Sequence, residues 1–201
     1  MNALGRLKQH LRRGQVYRRA DLLRWSNSVD RHLKQLLEEG TLTKLAGGLY
    51  HYPEQASFGP VLAEDKKLIE AFLKDHRFLL TSPNAYNSLG VGLTQLYNTT
   101  WVYNRKRHGR FRLGKRTLDF RVKPNFPKTL SEEFLLVDLV DNIHCLAEDR
   151  EAALEKLKQR VMRAEVNVKA LSKNVRGYGG AKAKKFFQPL LVEGGRANAV
   201  S

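Results

Sequence analysis

The segment that most restricts the fold runs from Trp25 to Pro53, WSNSVDRHLKQLLEEGTLTKLAGGLYHYP. Ser26, Asn27 and Ser28 form a turn, because short polar side chains bond their own backbone readily. Ser28 is a good N-cap for a helix whose apolar positions, Val29, Leu33, Leu36 and Leu37, share one face. Gly40 ends that helix. TLTKL and GLYHY then flank AGG as two short strands joined by a glycine turn. Upstream, Leu4, Leu7 and Leu11 mark a first helix, stopped by Gly14. QVY is extended. RRADLLRW is a short second helix, with Ala20, Leu22 and Leu23 inward and Arg18, Arg19 and Arg24 outward. Helix, helix, turn, capped helix, glycine and hairpin form the ordered pattern of a winged helix-turn-helix over residues 1–53.

The polar face of the third helix is Asn27, Ser28, Asp30, Arg31, Lys34 and Gln35. Every amphipathic helix has a polar face, and each of these residues alone is explained by solvation. Together they are the side-chain types that reach bases and phosphates. Asn27, Arg31, Lys34 and Gln35 are expected to read a major groove, and Arg18, Arg19 and Ser28 to hold phosphates. Lys44 and His51, on the wing, are expected to reach the backbone or the minor groove. A winged helix can instead mediate protein contacts.

Charge supports a polyanionic partner. The 201-residue chain has a formal net charge of +16 and a pI of about 10.1. That excess favours nucleic acid first and an anionic membrane surface second. Residues 1–53 alone hold ten basic and four acidic side chains. Apolar residues make up 42% and charged residues 28%, the balance of a globular chain. Cys145 is the only cysteine, which excludes an internal disulfide and a cysteine-based metal site, and it is expected in the core. The six histidines show no HxH or HExxH spacing, so neither a metal nor a cofactor is expected. No apolar run reaches the roughly 18 residues of a membrane span, and no signal-peptide pattern opens the chain. A cytoplasmic protein is expected.

The remainder reads as a second domain, giving an α+β chain: an N-terminal winged helix-turn-helix and a C-terminal domain of helices around a small antiparallel sheet. YPEQASFGP suggests a linker at 54–60, with the second domain at 61–192 and a mobile tail at 193–201. Residues 61–75 are a helix with Leu62, Leu68, Ile69, Phe72 and Leu73 inward. A short buried strand and a helix opening at Ser82 or Pro83 follow. TTWVYN, FRLG and RTLDFRVK are strands, and four helices come after them, the last running to Pro189.

Arg105, Lys106, Arg107, Arg110, Arg112, Lys115 and Arg116 form a second basic patch, continued by Arg121 and Lys123. Trp101, Tyr103 and Phe111 interleave with it. They are either a base-stacking surface or core residues under solvated cations; an acidic protein partner also suits the patch. VRGYGGAKAKK lacks the spacing of a phosphate-binding loop and reads as a turn between helices. In DFRVK, Asp119 and Lys123 flank Arg121, a cation where a metal-dependent nuclease needs a carboxylate. No catalytic residue is assigned and an enzyme is not expected. The alternative is a nucleic-acid-processing enzyme, or an RNA-binding protein, that uses the winged helix to deliver substrate.

GTLTKLAGGLYHYP after VDRHLKQLLEEG resembles the N-terminal module of AbiEi-type antitoxins, with Gly40, Leu42, Lys44, Leu45, Gly48 and Tyr50 filling that family's wing pattern. Ala85, Leu89 and Gly90 match a later element loosely, and SEEFLLVDLVDNI is similar to the helix after the family's sheet. The resemblance implies an antitoxin of a type IV toxin–antitoxin (abortive infection, phage-defence) system. Such a protein represses its own operon by binding promoter repeats in double-stranded DNA. It counteracts a nucleotidyltransferase toxin, with that toxin or its RNA target as candidate partners and no membrane role. A monomer or weak dimer, dimerising on DNA, is expected.

Overall fold

The computed structural model describes residues 3–197. It is a mixed α+β fold with small sheets. Helices are α1 (Ala3–His10), α2 (Arg19–Leu22), α3 (Val29–Glu38), α4 (Asp65–Leu73), α5 (Glu132–Asn142), α6 (Arg150–Met162), α7 (Val168–Tyr178) and α8 (Ala181–Ala197). Strands are β1 (Gln15–Arg18), β2 (Thr43–Ala46), β3 (Leu49–Tyr52), β4 (Gln55–Ala56), β5 (Gly59–Pro60), β6 (Leu79–Thr81), β7 (Thr100–Asn104), β8 (Gly109–Leu113) and β9 (Arg116–Val122). Strand order is β1-β3-β2 in one sheet, β4-β5 in a second and β6-β7-β9-β8 in a third.

The described residues form two compact units, 3–76 with 110–118, and 77–109 with 119–197. This differs from a boundary at 54–60. The expected linker folds as the β4–β5 hairpin, pairing Gln55 with Pro60 and Ala56 with Gly59. Helix α4 belongs to the first unit, where it packs on β1 and Lys67 donates to the Gly14 carbonyl at 3.4 Å. Leu62, expected on the buried face of that helix, precedes it and is exposed. Residues 110–118 join the first unit as well: Gly114 N–H donates to the Leu45 carbonyl at 2.7 Å, and Phe111 lies against Phe72.

The core of the first unit is Leu7, Leu11, Leu22, Val29, Leu33, Leu36, Leu42 and Tyr50. It joins the apolar stripe of α1, the α2 turn, the inner face of α3 and the hairpin. Leu22 takes the buried place in α2, whereas Ala20 and Leu23 face solvent. Gly48, at φ +68°, supplies the left-handed residue of the β2–β3 turn.

In the second unit α5 is buried nearly all round, and α7 and α8 pack against it. Ser131 caps α5 by accepting from Phe134 N–H at 3.2 Å, and Asp149 and Asn167 cap α6 and α7 similarly. Cys145 is exposed and not in the core: a short turn after α5 gives the inward positions to Ile143 and Leu146. Helix α8 continues through Pro189 to Ala197, beyond the expected stop, so 193–197 of the expected mobile tail are helical. Residues 198–201 lie outside the described residues.

Candidate nucleic-acid interface

Helix α3 is held from beneath and at its start. Val29, Leu33 and Leu36 sit in the core of the first unit. Ser28 occupies the N-cap position, but its side chain makes no capping bond. Ser26 instead ties the turn to the helix: its buried hydroxyl accepts from Ser28 N–H at 3.2 Å and bonds His32 Nδ1 at 2.7 Å. The SNS turn and the helix are therefore locked together by one buried serine–histidine pair, which periodicity cannot reveal.

The outward face of α3 carries Asn27, Ser28, Asp30, Arg31, Lys34 and Gln35, all exposed. Asp30 accepts a bidentate pair from Arg19, with both bonds at 2.6 Å. Gln35 donates to Glu39 at 2.9 Å, and Lys34 is 3.9 Å from Glu38. Asn27 and Arg31 have no hydrogen-bond or ion-pair partner among the described residues. On the hairpin, Lys44 is exposed in β2.

Three expected contact residues are engaged or hidden. Arg18 gives Asp21 two bonds, at 2.8 and 2.6 Å, and Asp21 also accepts from the Arg18 backbone N–H. Those bonds hold the Asp21 carboxyl below the usual carboxylate range and raise Arg18. Arg19 holds Asp30 low in the same way. Both arginines fasten α2 to its surroundings before any ligand arrives. His51 is buried at 3% exposure, not displayed on the hairpin surface. It lies in β3, the central strand between β1 and β2, paired with Val16 and Thr43. Burial pushes its imidazole below the ordinary value.

Other cations lie beside α3. Ala3, Arg6, His10, Arg24, Trp25, Ser26, Asn27 and Ser28 line an open pocket of about 350 Å³ at its N-terminal end. His10 stacks on Trp25 at 4.8 Å, and the Arg24 guanidinium lies 4.7 Å above the same ring. Arg6, His10 and Trp25 were assigned to no site from the sequence; only Trp25 lies next to the SNS turn in the chain, and Arg6 and His10 are a helix away.

The residues of the second basic patch divide between the two units. Residues 105–107 lie in the second unit and 110–116 in the first. Arg116 is paired with Asp65, whereas Arg105, Arg110, Arg112 and Lys115 are exposed. Lys106 and Arg107 are exposed on a turn that Asn104 fixes by accepting their backbone N–H groups at 2.8 and 2.7 Å. Trp101 and Tyr103 are buried, so they are core residues and not a stacking surface.

The carboxylates near β9 are also engaged. Asp119 accepts from Arg121 at 3.0 Å, and the Arg121 guanidinium lies 3.6 Å over Trp101. Asp138, fully buried, accepts from Tyr86 at 2.7 Å, from Tyr103 at 2.8 Å and from Lys123. Asn142 donates to both tyrosine oxygens, at 3.3 and 3.1 Å. Burial pushes both tyrosine hydroxyls well above their ordinary range, so they act as donors here. This satisfied network has the character of a structural element. Among the described residues no group of three or more His, Cys, Asp or Glu could hold a metal ion, and no helix is long and apolar enough to cross a membrane.

Residues 4–167 match the family described as "Family of unknown function (DUF6088)", and the chain belongs to that family. No curated protein matches it. The crystal structure of RV2827C protein from Mycobacterium tuberculosis is similar in fold, with a TM-score of 0.52 and 16% identity over 96% of this chain and 75% of that one.

Proposed function

We propose that this member of the DUF6088 family is a cytoplasmic DNA-binding protein and not an enzyme, whose first unit is a winged helix-turn-helix. The observation that carries the reading is the exposed face of α3: Asn27 and Arg31 unpaired, Lys34 loosely held, on a helix pinned by Ser26 and His32. Arg31 suits guanine and Asn27 suits adenine in a major groove. Lys44, Arg6 and Arg24 supply phosphate contacts, in place of the internally paired Arg18 and Arg19. The resemblance of the hairpin segment to AbiEi-type antitoxins adds two roles: repression of its own operon, and counteraction of a nucleotidyltransferase toxin encoded beside it.

The test is a gel-shift titration against DNA from upstream of the protein's own gene. Arg31→Ala is expected to weaken specific binding by about 1–3 kcal/mol and to leave binding to unrelated duplex nearly intact. Equal loss on both duplexes makes Arg31 a phosphate clamp. Failure to retain any duplex at low salt refutes the DNA reading. Co-expression with the neighbouring gene product tests the second role, and unrelieved toxicity ends it.

A further inference from the structure

The second unit carries a cationic surface at α7 and the start of α8. Residues 167–192 contain Lys169, Lys173, Arg176, Lys182, Lys184 and Lys185, and no acidic residue. All six side chains are exposed. Lys169, Lys173 and Arg176 stand at i, i+4 and i+7, so at about 100° per residue they fall within roughly 60° of arc. Leu171 and Val175, buried, face the opposite way. On α8, Lys185 lies opposite the buried Ala183, Phe187 and Leu190. Lys182 is 3.5 Å from His144 Nδ1; the other five have no ion pair among the described residues.

The placement works against the helices themselves. Lys169 sits in the first turn of α7, and Lys182 and Lys184 in the first turn of α8, where the helix dipole disfavours cations. Neither first turn holds an acid, whereas those of α5 and α6 carry Glu132, Glu133 and Glu151. Lys169 and Lys173 repel each other at i, i+4. Helix α6 mixes both signs, as a merely solvated face does. Asp141 already takes two backbone N–H groups at the start of α8, from Gly180 and Ala183 at 2.7 and 3.1 Å. Any anion here is met by side chains. Lysine is depleted at the centre of protein–protein interfaces, and this face has no exposed aromatic anchor.

We propose that α7 and the first turns of α8 form a second, sequence-independent binding surface for the phosphodiester backbone of nucleic acid. Its three α7 cations rise by about 6 Å and then 4.5 Å along the helix, a ladder of charge along a polyanion.

The test uses the full chain with Lys169→Gln, Lys173→Gln and Arg176→Gln combined. Binding is followed by fluorescence anisotropy on random duplex DNA and on single-stranded RNA between about 50 and 200 mM salt. Loss of three phosphate contacts is expected to make the log K against log salt slope shallower by about 2.7 on duplex or about 2 on RNA. A shallower slope on duplex assigns DNA, and one on RNA alone assigns RNA. A wild-type slope on both overturns the proposal and leaves the surface to a protein partner. If the triple variant melts early, Lys184→Gln with Lys185→Gln repeats the test, with an expected slope change of about 1.8 on duplex. Arg31→Ala on operator DNA, run beside it, separates the two readings. Discrimination lost by Arg31→Ala with an unchanged slope in the triple variant ends this inference alone. Wild-type affinity and discrimination in Arg31→Ala, with a shallower slope in the triple variant, end the α3 reading alone.

Discussion

Removing the Asp138 carboxylate tests the buried network most directly. Asp138→Ala takes the acceptor from Tyr86 and Tyr103, at 2.7 and 2.8 Å, and from Lys123. The Lys123 side chain is only 18% exposed, so its ammonium loses its counter-ion where water reaches it poorly. Its remaining support is the Tyr103 ring at 4.4 Å and the Phe134 ring at 5.7 Å. Breaking one partner out of a buried pair costs about 3–5 kcal/mol. The two tyrosine hydroxyls lose their acceptor as well, since Asn142 only donates to their oxygens, which sets the loss in the upper part of that range. The expected loss is about 4–5 kcal/mol, a large fraction of the 5–15 kcal/mol that holds a typical domain. Asp138→Leu with Lys123→Met removes the charge and its counter-charge together, and recovers most of the loss. Urea unfolding measures this cleanly, because Trp25 lies in the first unit and Trp101 in the second. On a Trp25→Phe background, Trp101 fluorescence reports the second unit alone. A loss below about 1 kcal/mol for Asp138→Ala refutes the reasoning.

Two further substitutions probe the first unit. Ser26→Ala strips the acceptor from Ser28 N–H and the partner from His32 Nδ1, both at a buried position; a cost of about 1–3 kcal/mol is expected from Trp25-detected unfolding, with weaker operator binding as α3 loosens. His51 has its imidazole value lowered by burial, so the unfolded chain takes up the proton first. Stability is therefore complete above about pH 6.5 and declines as pH falls toward the folded value. His51→Gln flattens that decline in unfolding midpoints measured from about pH 7 to 5, and an unchanged profile assigns it to another group.

Much of the local structure was readable because it has a period. The stripe Val29, Leu33, Leu36 places α3 correctly, and GLYHY and TTWVYN form strands β3 and β7. What sequence reasoning missed comes from pairings distant in the chain. Gln15–Arg18 pairs with Leu49–Tyr52, making β3 a central strand and turning His51 inward. Arg19 finds Asp30 eleven residues on, and Arg116 finds Asp65 across a longer separation. Asp138 reads as a polar break in an apolar helix until Tyr86, Tyr103 and Lys123 converge on it. Periodicity reports which face of an element is buried, not which partner neutralises a charge.

That distinction decides what the basic excess can do. Net charge of +16 sets a long-range preference for polyanions but selects no surface. A cation already bonded to a carboxylate contributes little local field, because its partner cancels it within a few ångströms. Arg18, Arg19, Arg116 and Arg121 are of this kind: the first three tie one element to another, and Arg121 is held by Asp119 on its own strand. Exposed cations without an acidic neighbour keep their field and their counterions, and releasing those counterions drives association with phosphate. Arg31 on α3 and Lys169, Lys173 and Arg176 on α7 are of this second kind. They lie in different units, so a salt slope that responds separately to each set means two independent contacts with the same polymer. A slope that responds only to Arg31 and its neighbours means that binding resides in the first unit, and the charge of α7 serves another partner.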